Sequence, residues 1–185
     1  PFPSDAALAV QRLSTTAHWS LPVTLPSGPL TLLISQATPP VFDGAEDQNG
    51  KRNHDENALW LHHIEGRLGT PPAGPFVLAF GANLDPADGA GRREVMQALL
   101  AHPKLQDPLP KSKGAAAATT PDHLGDPALD TADWAEPTAD TFGPGNMRVD
   151  FLLPSADVTV TDAGVFWPAL PSSDHALALA ASRHR

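Results

Sequence analysis

The stretch "FVLAFGANLDPADG" (residues 76–89) sets the reading of the whole chain. Five apolar residues run into Gly81, and Asn83 and Asp85 follow within four positions. A short unbroken apolar run bounded by turn formers reads as a buried strand, and "NLDPADG" reads as the turn that leaves it. The exit of a central strand is where an open sheet presents ligand-binding groups. Working outward, "LTLLIS" (30–35) is a second buried strand after the turn-prone "PSGP", and the Pro-, Gly- and acid-rich "QATPPVFDGAEDQNGKR" (36–52) is a loop. A helix is expected from Asn53. Asn53 would cap it, Glu56 stands in capping-box position, Leu61, Ile64 and Leu68 share a face, and Gly69 ends it. His54, His62, His63, Asp55 and Glu56 on that helix lack H-E-x-x-H spacing and read as a solvated face. "RREVMQALLAH" (92–102) is a second helix stopped by Pro103. Residues 104–146, which include the low-complexity "GAAAATT", read as an irregular insertion. Strands are expected again at 147–154, 157–167 and 175–181, the last because "HALALAA" alternates. The pattern is that of an α/β layered domain with mixed sheets.

Bulk properties narrow the function. The 185 residues suit one domain with a real core. A net charge of −9 disfavours non-specific nucleic-acid binding, which rests on Lys and Arg. With no cysteine, thiol nucleophiles and zinc thiolates are excluded. No apolar run approaches the ~20 residues that span a bilayer. No signal peptide is visible, and a secreted or periplasmic setting is compatible with the composition.

Chemistry-bearing groups gather at strand ends: Asn83 with Asp85, Asp150 in "RVDF", and "SSDH" (172–175). Carboxylates with an amide oxygen suit a hard cation, Mg²⁺ or Mn²⁺ with Ca²⁺ also compatible, and a histidine can move a proton. Metal-assisted phosphoester hydrolysis needs those parts. Singly, Asp85 reads as a turn former, and His175 as a satisfied histidine. Asp150 is less ordinary, because a charge inside an apolar strand needs a partner. Ser173, Asp174 and His175 are adjacent and cannot form a serine-hydrolase triad among themselves. "DPADGAGRRE" lacks the alternating acids of a calcium loop.

Together, "TPPVFDGAEDQNGKRNHDE", "FVLAFGANLDPADG", "GNMRVDFLLPSADVTVTDAGVFWP" and "SSDH" resemble the endonuclease/exonuclease/phosphatase superfamily, in particular a bacterial branch of it. The resemblance implies a DNase I-like two-layer β-sandwich flanked by helices, with residues 1–185 as the C-terminal two-thirds of one domain. The family's first strands and their metal-binding Asn and Glu are expected upstream of Pro1. It also implies a divalent-metal-dependent phosphoester hydrolase acting on a small-molecule or nucleotide phosphoester, duplex DNA being disfavoured by the charge. Carried over by residue, Asn83 would orient phosphate or water, Asp174 would serve the metal, and His175 would contact the scissile phosphate and transfer a proton. Asp150 would orient His175, and Gln36 would donate to phosphate. Asp85 belongs to the branch's Asn-Leu-Asp-Pro extension and has no assigned role. Two departures stand out: the family's Gly-Asp-x-Asn is Phe80-Gly81-Ala82-Asn83 here, and Gln36 replaces a histidine. The alternative reading is therefore a catalytically inactive relative acting as a binding module. An acidic calcium-binding domain is a more distant third.

Overall fold

The computed structural model describes residues 4–134 and 143–185. Helix α1 (Asp5–Val10) precedes strands β1 (His18–Leu25) and β2 (Gly28–Gln36). Helix α2 (Gln48–Ile64), strand β3 (Phe76–Gly81) and helices α3 (Glu94–Leu100) and α4 (Lys113–Ala117) follow. A 3₁₀ turn (Pro127–Leu129), strands β4 (Ala132–Asp133), β5 (Asn146–Met147) and β6 (Asp150–Pro154), and helix α5 (His175–Ala181) complete the order.

The principal sheet has four strands in the order β1-β2-β3-β6. β1 and β2 form an antiparallel hairpin, β2 and β3 run parallel, and β6 is antiparallel to β3. The parallel pair needs a crossover, and α2 supplies it. Alternation along the strands divides the sheet into two unlike faces. Leu33, Leu78, Phe80, Phe151 and Leu153 face a helical layer in which Trp60, Ile64, Val95, Met96 and Leu99 complete one core. The other face carries exposed Trp19, Leu21 and Leu152 beside partly buried Leu32, Ile34, Val77 and Ala79. A mixed α/β sheet with flanking helices is thus the architecture, as expected. One principal sheet and one short β4-β5 ladder are its strand layers among the described residues.

Several local expectations differ from the structure. α2 begins at Gln48, not Asn53, so Asn53 is not a cap and Glu56 is not in a capping box. Both are buried on the inward face, with Asn57, Trp60 and Ile64 at helical spacing. The Glu56 side chain accepts from the backbone N–H of Thr15 (3.2 Å) and Thr38 (2.5 Å), which removes it from the solvated face expected of this helix. Residues 157–167 form no extended strand: "DVTVT" has β propensity but pairs with no strand, and only Gly164 bridges to Lys111. Residues 175–181 are helix α5, because alanine and leucine favour helix and only Ala178 is buried to impose a face. The alanine tract forms α4, capped by the Ser112 hydroxyl, which accepts from the Ala115 N–H. The remainder of the stretch read as an insertion includes residues 135–142, which lie outside the described residues.

Candidate functional site

Register brings three positions into one row. Gln36 at the end of β2 is opposite Gly81 at the end of β3, and Gly81 is opposite Asp150 at the start of β6. Ser35, Phe80 and Phe151, one step back, share the face packed on the helices, so the row Gln36-Gly81-Asp150 belongs to the opposite face. A Cβ at position 81 would lie 2.1 Å from Gln36 Oε1, so the Gln36 end group occupies the space of any side chain there. The glutamine and the missing carboxylate are one feature.

A polar frame fixes the strand ends. Asn53 Nδ2 donates to the carbonyls of Thr38 (2.7 Å) and Ala82 (2.8 Å), tying the exits of β2 and β3 together. Asn57 Nδ2 adds a bond to Ala82 O at 3.2 Å. Asn83, at φ 47°, adopts the left-handed conformation that asparagine tolerates, and its Nδ2 donates to Ala37 O at 2.7 Å. Asp85 is buried and accepts from the N–H groups of Ala87, Asp88 and Arg148 at 2.7, 2.8 and 2.5 Å. Those bonds make Asp85 a backbone tie between the β3 turn and the approach to β6.

Asp150 meets a histidine, but not the one its motif suggests. Asp150 Oδ2 accepts from His184 Nδ1 at 2.7 Å and from the Thr131 hydroxyl at 3.1 Å. His175 is held elsewhere, with Nδ1 2.7 Å from Pro168 O. The structure therefore pairs Asp150 with His184 and does not form the Asp150–His175 pair. Sequence reading missed His184 because it carries no motif. It reaches Asp150 through a bridge to Ala132, and backbone Arg185 N donates to Thr131 O at 2.7 Å. Trp134 packs edge-on against the His184 ring at 5.4 Å. A groove of about 580 Å³ is lined by apolar Val77, Ala79 and Leu152 and by Gly81, Asp150 and Arg185. The Arg185 guanidinium lies 5.2 Å from the Trp167 ring, and burial lowers its pKa.

Two further ionic groups flank this region. Arg148 is buried, donates twice to Asp107 (2.7 and 2.6 Å) and lies 4.7 Å over the Phe151 ring. Burial pushes the Asp107 carboxyl up, but the hydrogen bonds from Arg148 and Leu109 and the Arg148 charge outweigh it and hold it below its usual range. Beyond Asp85, Asp88 accepts from Leu124 N and Gly125 N, both at 2.8 Å. His123 Nε2 lies 3.5 Å from Asp88 Oδ2 and 3.7 Å from Asp130 Oδ2. Burial pushes Asp130 up to about 8, reinforced by the charges of Asp85, Asp88 and Asp126 and opposed by Arg148.

The metal ligand expected at Asp174 is exposed, with the Ser173 hydroxyl 3.5 Å away. Among the described residues, no group of three or more His, Cys, Asp or Glu side chains is arranged to hold a metal ion. No described helix is long and apolar enough to cross a membrane.

Comparison with known proteins adds what this geometry cannot. A solved structure, the endonuclease/exonuclease/phosphatase from Beutenbergia cavernae DSM 12333, is similar with a TM-score of 0.49 and 17% identity over 78% of this chain. The match spans 34% of that protein, about a third of its length. No curated protein matches the chain. The model of the Endonuclease/Exonuclease/phosphatase family matches residues 9–175, most of the sequence, and the chain belongs to that family.

Proposed function

We propose that this domain handles phosphoesters as a hydrolase, with the Asp150–His184 pair as its acid–base apparatus. Members of the family are generally phosphoester hydrolases and generally depend on divalent metals. The observation that carries the reading is the 2.7 Å contact between Asp150 Oδ2 and His184 Nδ1 at the strand-end row. With Nδ1–H donated to the carboxylate, Nε2 holds the free lone pair. That nitrogen can take the proton from an attacking water and return it to the departing oxygen. The net charge of −9 favours a small or nucleotide phosphoester over duplex DNA.

Hydrolysis of bis-p-nitrophenyl phosphate in Mg²⁺, Mn²⁺ or Ca²⁺ tests the reading. Turnover should fall by roughly 100-fold or more in His184→Ala, the scale of lost general acid–base catalysis, and stay near wild type in His175→Ala. The reverse result would return the role to His175. A second reading, a non-catalytic phosphoester-binding module, is favoured by Gly81, whose side-chain space Gln36 fills. Saturable binding of a nucleoside monophosphate by folded protein without turnover would select it.

A further inference from the structure

Thr131 is buried and stands where three segments meet: the residue before β4, the approach to β6, and the segment that carries His184. Its N–H donates to Met147 O at 3.0 Å, and its carbonyl accepts from Arg185 N at 2.7 Å. Its hydroxyl accepts from Val149 N and from Asp150 N, both at 3.0 Å. A threonine hydroxyl has two lone pairs and one proton. Two amides occupy both lone pairs, so among the described residues the proton has one acceptor within reach, Asp150 Oδ2 at 3.1 Å. β-Branching limits χ1 of Thr131 and so holds its hydroxyl oxygen in place, while the two amides on that oxygen leave the proton directed at Asp150. The same Oδ2 receives His184 Nδ1, so a hydroxyl and an imidazole converge on one carboxylate oxygen.

We propose that Thr131 is a positioning residue whose hydroxyl fixes the Asp150 carboxylate toward His184 and thereby sets the tautomer of that histidine. The inference rests on the Asp150–His184 reading above for its functional meaning, but its geometry can be tested without turnover. Threonine that only satisfies two amides would contribute stability and leave the imidazole unaffected. A positioning residue changes the imidazole as well.

The test is long-range ¹H–¹⁵N correlation of the His184 ring in the full chain, at a pH where the imidazoles are neutral. Wild type should show the proton on Nδ1. Thr131→Ser, which keeps the hydroxyl, should retain that tautomer. Thr131→Val, which loses it, should shift the population toward Nε2–H, the opposite tautomer. Should Thr131→Val fail to fold by circular dichroism, Thr131→Cys replaces it, since its thiol can still receive the amides weakly but aims no hydroxyl at Asp150. The same tautomer shift is expected. An unchanged His184 tautomer in the folded hydroxyl-less variant overturns the inference, as does a wild-type ring protonated on Nε2. Hydrolysis measured on the same samples separates the two ideas. A shifted tautomer with no wild-type turnover leaves the positioning intact and removes the hydrolase reading. An unshifted tautomer with turnover does the converse.

Discussion

At position 81 the obstacle to a side chain is another side chain, not the backbone. Gly81 has no left-handed φ, and the atoms a Cβ would meet are those of the Gln36 amide, the far end of an exposed, flexible residue. Gly81→Asp should therefore fold, with stability within about 1 kcal/mol of wild type by urea denaturation. It should add no hydrolysis, since one carboxylate does not create a metal centre where the described residues have none. A large gain in turnover would show that Gly81 alone limits activity. Asp107 is a different case. It is the partner of the buried Arg148, and removing one side of a buried pair leaves an uncompensated charge. Asp107→Ala should lose roughly 3 kcal/mol or more in the same measurement, and a loss under about 1 kcal/mol would mean that Arg148 finds another acceptor.

At the scale of elements, α2 is both the crossover and the fastener of the strand ends. Asn53→Ala strips the Thr38 carbonyl of its side-chain donor and leaves Ala82 O with the longer bond from Asn57, which should cost about 1–3 kcal/mol in denaturant unfolding. A neutral result would mean that the helix packs by its apolar residues alone. β2, β3 and β6 were legible because their apolar runs match the buried face of a sheet, and Asp150 was legible as a charge that such a run must explain. β1 was not: "HWSLPVTL" includes Pro22, which only an edge strand accommodates, and most of its residues are exposed. α5 was mistaken for a strand because alternation of alanine and leucine carries no information where Leu177 and Leu179 remain in solvent. The inward row of α2 was hidden by its polarity, although Asn53, Asn57, Trp60 and Ile64 fall at helical spacing. Of the candidate site, Asn83 and Asp150 stood out locally. The Asp150–His184 pair could not, because 34 residues separate the partners and only tertiary bridging joins them.

For the molecule as a whole, two carboxyl groups bend stability with pH in opposite ways. Asp107, held below its usual range, contributes stability above the unfolded value of 3.8 that is lost as pH falls through its lower folded value. Asp130, raised to about 8, acts in the other sense: its effect is fully favourable below 3.8 and is lost as pH rises toward and through about 8. Across that window one such group gives a slope of at most about 1.4 kcal/mol per pH unit. The net charge of −9 adds self-repulsion in the same direction. Melting temperatures from pH 4 to 9 should fall in wild type and flatten in Asp130→Asn, which keeps the neutral form's shape. Parallel curves would remove Asp130 as the source. The unlike faces of the sheet also place two of the four tryptophans in different optical environments. Trp19 stands 62% exposed on the open face, whereas Trp60 is 2% exposed in the core behind the other. Acrylamide will quench the first indole and scarcely reach the second. Anything that settles on the open face should dim or shield Trp19 while Trp60 emission stays constant, and unfolding should red-shift both. Tryptophan emission can thus distinguish a partner from a denaturant without a label.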